Sequence, residues 1–340
     1  MKKRRIKKEK ENTKACLTHY SGIGGQAVIE GVMMKNKDRY AVAVRTPEQE
    51  INISIEEYES FGPKNRIGKL PFIRGIFAFI DSMIIGIRTL NYSASFYEEE
   101  DVKTKKHQKK GFIDRVLGEN AEKFLTGATI AISIVLAIAI FMLLPYYLST
   151  LLRQWIVSET VIAASEGLLR ILIFIGYLLL ISLMSDIKRT FMYHGAEHKC
   201  INCIETGNAL TVENVLQASR QHKRCGTSFM FLVVFVSVIL FMFIRVEEPL
   251  LRVAIRILLI PVIAGISYEI IRLAGRSDNF FVKLISAPGM GLQRLTTREP
   301  DASMIEVAIA SVEAVFDWRA YLLSEFGTEI PYEEEKDYYA

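Results

Sequence analysis

The chain has 340 residues, of which 50% are hydrophobic and 24% are charged, enough for two ordinary domains or for one membrane bundle with parts outside it. Its mean hydropathy of +0.22 indicates apolar blocks separated by charged segments. The net charge of +4, without a nucleic-acid-binding motif, argues against a nucleic-acid partner. Four cysteines and no signal-peptide pattern argue against a secreted disulfide framework and favour free thiols in a reducing compartment.

Much of the basic excess lies in two segments. Residues 1–21, which begin MKKRRIKKEK, are predicted to be a basic disordered tail, and KTKKHQKK (103–110) belongs to a basic linker. Such runs are typical of solvated tails, and the functional alternative is attraction to anionic lipid headgroups. At the other end, residues 326–340 are predicted to be an acidic tail.

Four stretches are apolar and long enough to cross a bilayer, which takes about 20 residues. Because unpaired backbone groups are costly in lipid, these stretches are predicted to be helices. The fold class is therefore a mainly α, polytopic membrane protein with a four-helix transmembrane bundle over residues 125–272. The predicted spans are 125–148, 168–185, 228–244 and 250–271.

The orientation follows from the distribution of lysine and arginine around the spans. These residues are concentrated before the first span, between the second and third, and after the fourth. The other two connections, 149–167 and 245–249, hold only Arg153 and Arg245. We therefore expect a multi-pass protein of the cell membrane with both termini and the 186–227 loop in the cytoplasm.

Three further regions flank the bundle. Residues 22–60 contain short alternating segments rich in β-branched residues, which predict a small antiparallel β meander. Residues 61–124 contain an apolar stretch, 70–90, that is interrupted by charges and is predicted to lie at the interface or to be partly inserted, followed by the basic linker. Residues 273–325 are predicted to be C-terminal helices, with one amphipathic helix beginning near Asp301.

The segment YHGAEHKCINCIE (193–205) contains the most specific chemical pattern. It is predicted to be a helix that continues the second span, so His194 and His198, four apart, share a face and suit one metal ion. Glu197 lies beside both and is a candidate general base, in the H-x-x-E-H order of inverted zinc peptidases. The alternative is that these side chains hydrogen-bond headgroups or loop backbone.

A further ligand must come from elsewhere in the chain. The candidates are Glu269, an ionisable residue near the cytoplasmic end of the fourth span with Arg272 as an alternative ion-pair partner, and two residues before the third span, His222 and Cys225. One of these three would complete an open, catalytic site. His222 and Cys225 together would instead close a structural site. Cys200 and Cys203 are expected to be buried thiols.

The stretch GIGGQAVIEGVMM (22–34) is the second unusual segment. Its glycines permit close approach to a ligand or to another segment. Glu30 is predicted to lie in an apolar strand, where burial would require a ligand, a metal or an arginine such as Arg74. The alternative is an edge strand with Glu30 facing water.

Four separated motifs, GGQAVIEGVMM, YHGAEHK-IN--E, H-RCGTSF and PG-GLQ-LTT-EP, resemble the YqhQ-like bacterial membrane protein family, from about residue 22 to residue 318. This domain-of-unknown-function family is commonly labelled as predicted metal-dependent enzymes. The chain departs from the family pattern at Lys223, where proline is usual, and at Cys200, where a non-thiol residue is usual. By motif match the resemblance implies these polar positions: Glu30, His194, Glu197, His198, Glu205, Cys225, Gln293 and Glu299.

These features predict a membrane-embedded metal-dependent enzyme, hydrolytic, with its site at the cytoplasmic face. The metal would be divalent, zinc by ligand type, and the substrate a lipid or a membrane protein. The alternative is a non-enzymatic scaffold or lipid-binding protein with at most a structural metal. A transporter ranks last, because the predicted spans hold few charges and no internal repeat is evident.

Overall fold

The computed structural model describes residues 19–330 except 64, 106–120, 245, 247 and 276–278. The predicted basic tail, the basic linker and the acidic tail lie largely outside the described residues. Nearly all of the predicted bundle lies inside them.

A four-stranded antiparallel sheet in the order β1-β2-β3-β4 confirms the predicted meander. Its strands are β1 (Gly24–Val28), β2 (Gly31–Asn36), β3 (Arg39–Arg45) and β4 (Ile51–Glu57). Val28 pairs with Gly31, so Glu30 lies in the two-residue turn between β1 and β2, with a φ of 49°. The expectation that Glu30 lies in a strand is wrong, because this tight turn needs a positive φ there.

The helices fall into two groups. Those that form the candidate spans are α2 (Ala121–Ile138) with a π-helical segment Ala139–Leu143, α3 (Leu144–Leu151), α4 (Glu159–Ile181), α7 (Gly226–Phe243), α8 (Pro249–Leu258) and α9 (Ile260–Ala274). The others are α1 (Ile73–Lys105), α5 (Ser185–Glu205), α6 (Val212–Gln217), α10 (Phe280–Thr296), α11 (Ala302–Glu313) and α12 (Trp318–Phe326).

Within the described residues, four helical stretches are long and apolar enough to cross a membrane, as predicted: Gly127–Gln154, Glu159–Ile181, Gly226–Phe243 and Leu250–Ala274. The first and fourth are interrupted where Pro145 and Pro261 begin new helices, because proline cannot continue the hydrogen-bond ladder of the preceding turn.

The second span begins nine residues earlier than predicted, so it contains Glu166 in addition to Arg170, which the predicted span already included. Glu166 is buried and binds Arg170 at 2.7 Å and Arg256 at 2.7 Å. Each charge is thereby paired inside the bundle. The span also ends at Ile181, and extended backbone at Met184 separates α4 from α5. The helix around His194 is therefore separate from the span and does not continue it.

The largest hydrophobic core lies outside the spans, between the sheet and helices α5 and α11. Side chains of β2 and β3 meet α5 and α11 there, and the fully buried members include Val32, Ala43, Ala196, Ile201 and Ile305. This core fixes α5, and with it both histidines, against the sheet.

Helix α1 connects the bundle to the sheet. Near its start, Arg74 forms a two-pronged ion pair with Glu269 of α9, and a Cβ at Gly75 would come within 2.8 Å of the Tyr268 side chain. Farther along, Ile85 packs on the second face of the sheet. The predicted interfacial segment 70–90 is thus part of one 33-residue helix that packs on both bodies.

The predicted single C-terminal helix is two helices. Asp301 caps α11 by accepting from Met304 N, as expected, and Asp317 caps a second helix, α12, by accepting from Ala320 N. A side chain that caps a new helix ends the preceding one.

Candidate metal centre

His194 and His198 lie on one face of α5, with ring centroids 4.4 Å apart. His194 Nδ1 lies 2.8 Å from Thr296 O, and His198 Nδ1 lies 2.6 Å from Arg220 O. A carbonyl oxygen only accepts, so each Nδ1 is the donor and each Nε2 keeps its lone pair. Both rings are therefore oriented as metal ligands usually are.

Cys225 approaches these rings from the start of α7. Its Sγ lies 3.2 Å from His194 Nε2 and 3.0 Å from Thr227 Oγ1. As the N-cap of α7, the sulfur also accepts from Thr227 N at 3.3 Å. The three potential ligand atoms, one each from His194, His198 and Cys225, lie within 4.8 Å of one another.

These three groups fit zinc. Zinc binds imidazole nitrogen at about 2.0–2.1 Å and thiolate sulfur at about 2.3 Å, so tetrahedral ligand atoms stand roughly 3.3–3.6 Å apart. The Cys225–His194 distance of 3.2 Å is close to that value, and the His198 ligand atom lies within 4.8 Å of both. A set of three protein ligands leaves a fourth position open.

Glu197 faces the same point. Its Oε2 lies 3.8 Å from His194 Nε2 and 3.6 Å from His198 Nε2, and the residue is 4% exposed. Burial raises the pKa of this carboxyl to about 7, although the His194 charge and the Gly25 N–H oppose the shift. A group with this pKa gives up and takes back a proton near neutral pH.

Two glycines let other segments close on α5. A Cβ at Gly25 would lie 2.5 Å from Met33 O and 3.0 Å from Glu197 Cγ. A Cβ at Gly195 would lie 2.0 Å from Arg298 O. These approaches bring β1 onto Glu197 and the segment after α10 onto His194.

Side chains of α5 hold the 216–222 loop by its backbone. Lys199 Nζ donates to Leu216 O at 2.9 Å and to Ala218 O at 3.0 Å. Asn202 Nδ2 donates to Ser219 O at 2.6 Å and to Gln221 O at 2.9 Å. The carbonyl of Arg220 that orients His198 is therefore fixed from both sides.

Glu205 lies on the next turns of α5, within a charged cluster. It accepts from Ser21 N at 2.9 Å, pairs with Arg224 and stands 3.7 Å from His222 Nε2. Burial raises the pKa of Glu205, but His222, the Arg224 charge and the Ser21 N–H outweigh it and lower the pKa to about 2. Burial lowers the pKa of His222 to about 4, so this ring is neutral at pH 7.

Gln293 of α10 fixes the backbone of His222. Its Oε1 accepts from His222 N at 2.8 Å, and its Nε2 donates to His222 O and to Ser228 Oγ, both at 2.7 Å. Gln293 is fully buried. It is therefore a structural clamp between α10 and the residues that lead to Cys225.

A cavity of about 90 Å³ adjoins these groups. A single water needs about 10–15 Å³, so this space holds a small polar group as well as water. Gly24 and Gly226 border the cavity, and a Cβ at either would meet nothing within 4 Å. The full lining is Ile23, Gly24, Gly25, His194, Glu197, His198, Ile201, His222, Arg224, Cys225 and Gly226.

The remaining candidates lie apart from the three ligating groups. Glu269 binds Arg74, rather than Arg272, and does not belong to the cluster found among the described residues. Glu299 pairs with Lys199 at 3.0 Å and is largely exposed. His222 lines the cavity but is outside the ligating set.

Glu30 is held by an arginine, although not by Arg74. It binds Arg189 of α5 through two oxygens and accepts from Tyr193 Oη at 3.3 Å. Cys200 and Cys203 are fully buried free thiols, as expected, and burial raises the pKa of both.

Sequence reasoning missed the carbonyls that orient the histidines, the glycine that contacts Glu197, and Arg224 in the cavity wall. The GIGG run was a signal for the glycine that contacts Glu197. A carbonyl is present at every residue, so no pattern marks those that orient the histidines.

The fold and site define a membrane protein of the family described as "Protein of unknown function (DUF1385)", to which the chain belongs: that family's profile matches residues 70–318. The chain is 37% identical over 294 residues to "Uncharacterized protein YqhQ" of Bacillus subtilis (strain 168), covering 85% of this chain and 90% of that protein. The resemblance inferred from the four motifs is confirmed. No solved structure shows significant similarity to the chain.

Proposed function

We propose that the protein is a metal-dependent hydrolase whose divalent cation, zinc by ligand chemistry, is held by His194, His198 and Cys225. The observation that carries this proposal is the convergence of one ring nitrogen from each histidine and the Cys225 Sγ within 4.8 Å, from two segments of the chain. Both imidazoles already have their Nδ1 atoms bound to backbone carbonyls, which reduces the cost of ordering them around an ion.

Glu197 is proposed as the general base. A bound cation supplies Lewis acidity that polarises the bond to be broken. The Glu197 carboxylate takes a proton from a water in the cavity and returns it to the leaving group. Gly25 and the sheet cover this carboxylate, and the exclusion of bulk water strengthens each electrostatic interaction there.

We propose that the site faces the cytoplasm and acts on a lipid-borne or membrane-protein substrate. The support is the excess of lysine and arginine in the connections on the side of the site. Cys225 directly precedes Gly226, the first residue of a candidate span, so the site lies at a membrane boundary. The basic segments of the chain suit anionic lipids on the same side.

Metal analysis of the purified full chain tests the proposal. The wild type is expected to hold about one zinc per chain, and His194→Ala/His198→Ala to hold none. His19→Ala is the matched control, because His19 pairs with Glu325 away from the cavity. Equal metal content in the wild type and the double variant would refute the proposal.

The alternative is a non-enzymatic protein with a structural metal, and the deep burial of Glu197 and His198 is the observation that favours it. Glu197→Gln separates the two roles. If Glu197 is the base, the variant keeps its zinc and loses hydrolysis of nitrophenyl phosphate and carboxylate esters. If the metal is structural, the wild type hydrolyses none of these esters above the rate of the double histidine variant.

A further inference from the structure

The mouth of the cavity is formed by the start of a long helix. Helix α7 has 18 residues, and Gly226, its first residue, borders the cavity with open space where a Cβ would stand. The free N–H groups and the dipole of a helix N-terminus favour an anion. Gly24 also lines the cavity, with open space where a Cβ would stand.

A second group in the wall lacks a partner. His222 is 6% exposed and lines the cavity, and its Nε2 has no hydrogen-bond partner among the described residues. Glu205 Oε2 stands 3.7 Å away, beyond hydrogen-bond length. Leaving a buried nitrogen unpaired is unfavourable, so this atom is suited to a ligand in the cavity.

Arg224 supplies a fixed positive charge in the same wall. Its Nη2 binds Glu205, and its guanidinium lies 4.2 Å from the centre of the Tyr20 ring, so the side chain is held in place. The guanidinium has five N–H donors in a planar fork that matches phosphate oxygens, and Glu205 occupies one of its terminal nitrogens.

The acidic groups of the site make anion binding depend on a bound cation. Glu205 balances the charge of Arg224, and the Glu197 carboxylate would repel an anion from the cavity when no cation is bound. A divalent cation bound by His194, His198 and Cys225 would add two positive charges and make the cavity attractive to an anion. An anion is therefore expected to enter only the metal-loaded cavity.

We infer that the group acted on is a phosphate ester carried by a lipid of the adjoining leaflet, an inference that rests on the proposed function. A cavity of about 90 Å³ suits a phosphate group, and one of its lining residues, Gly226, is the first residue of a candidate span. In the reaction a water oxygen bonds to phosphorus and the P–O bond to the lipid breaks. The proton from water passes through Glu197 to the departing lipid oxygen, which gives a lipid alcohol and inorganic phosphate.

Calorimetric titration of the purified full chain tests this inference, with and without one equivalent of zinc. The probes are inorganic phosphate, dihexanoyl phosphatidic acid and dihexanoylglycerol. The zinc-loaded protein is expected to bind both phosphate probes, the lipid at least tenfold more tightly, and not the uncharged glycerol ester. The zinc-free protein is expected to bind none.

Arg224→Gln should weaken phosphate binding at least tenfold. Its control is Arg153→Gln, whose side chain also pairs with a glutamate, Glu159, but does not line the cavity. Gly226→Val gives a second variant that places a side chain in open space at the mouth, and it should keep zinc while phosphate binding falls.

The outcomes are distinct. A wild type without zinc overturns the proposed function and this inference with it. Zinc-loaded wild type that binds neither phosphate probe overturns this inference alone. Equal affinity for inorganic phosphate and phosphatidic acid overturns the lipid source, and unchanged binding in both Arg224→Gln and Gly226→Val overturns the placement in this cavity.

Discussion

Because Gly195 has no side chain, residues 296–300 cross α5 directly beside His194, and Gly195→Ala is expected to destabilise the protein. A Cβ at Gly195 would stand 2.0 Å from Arg298 O and 3.2 Å from Arg298 C, both backbone atoms. The crossing segment is tied down, because Arg298 N donates to Phe191 O at 2.8 Å and Thr296 O accepts from His194 Nδ1 at 2.8 Å. Gly195→Ala must therefore displace this segment or the helix.

The change in stability caused by Gly195→Ala is the sum of a gain in helix propensity and losses from overpacking and strained hydrogen bonds. Alanine is favoured over glycine inside a helix by about 1 kcal/mol. Overpacking costs about 1–3 kcal/mol, and straining the two hydrogen bonds costs about 0.5–1.5 kcal/mol each. The net loss in free energy of unfolding for Gly195→Ala is expected to be about 1–5 kcal/mol. At roughly 2–4 °C per kcal/mol, the Tm should fall by about 2–20 °C.

Thermal unfolding of the detergent-solubilised chain, followed by intrinsic fluorescence, measures this loss. Gly176→Ala in α4 is the matched control, because a Cβ there meets nothing within 4 Å and its Tm should change little. Bound zinc should fall with Gly195→Ala, since His194 loses its orienting carbonyl. A Gly195→Ala protein as stable as the wild type would refute the close crossing of α5 by residues 296–300.

Three other predictions concern the groups around the centre. Glu205 has a pKa lowered from 4.5 to about 2, so its contribution is present above pH 4.5 and is lost as the pH falls towards 2; at roughly 1.4 kcal/mol per unit this amounts to about 3 kcal/mol. The Tm of the wild type should therefore fall more steeply than that of Glu205→Gln over this range, and parallel curves would contradict it. Gln293→Leu leaves three buried hydrogen-bonding partners of Gln293 unpaired, at about 1–3 kcal/mol each before relaxation. Denaturant unfolding should therefore show a free energy of unfolding lower by about 3–5 kcal/mol. A loss below about 1 kcal/mol would show that the Gln293 clamp is dispensable. Glu269→Gln should keep its zinc while Cys225→Ser loses most of it, because Glu269 is bound to Arg74; zinc loss in Glu269→Gln alone would reverse the choice of third ligand.

The positions of the spans could be predicted because hydropathy over 20 residues depends little on packing. Their interruptions could not. The predicted second span contained Arg170 but began after Glu166, whereas in the fold the guanidinium groups of Arg170 and Arg256 both bind the Glu166 carboxylate. That pairing joins residues 90 positions apart, Glu166 and Arg256, and no local pattern reports it.

The sheet, too, could be predicted only in part from the sequence. Short, alternating segments rich in β-branched residues predicted a meander. They could not show that both faces of the sheet are covered, one by the α5 core and the other by α1. Nor could they locate the turn at Glu30, since the apolar run continues on both sides of it. An arginine was one of the alternatives left open for Glu30, and the residue named, Arg74, was wrong, because Arg189 reaches Glu30 only after α5 has docked on the sheet.

Within the candidate centre, helical spacing predicted that His194 and His198 share a face, because that relation is local to α5. The third ligand was left open among Glu269, His222 and Cys225. The choice depends on where α7 starts relative to α5, and this is a matter of tertiary packing. Burial next to Gly25, which brings the pKa of Glu197 to about 7, likewise requires the folded chain.

The most direct test of the central claim is X-ray absorption at the zinc edge on the purified, zinc-loaded full chain. We expect two imidazole nitrogens at about 2.0–2.1 Å and one sulfur at about 2.3 Å, with oxygen or nitrogen completing the shell. The sulfur contribution should vanish in Cys225→Ser and remain in Cys203→Ser, whose thiol lies in the core between the sheet and α5. A zinc spectrum without sulfur, or one unchanged in Cys225→Ser, would contradict the His194, His198 and Cys225 centre.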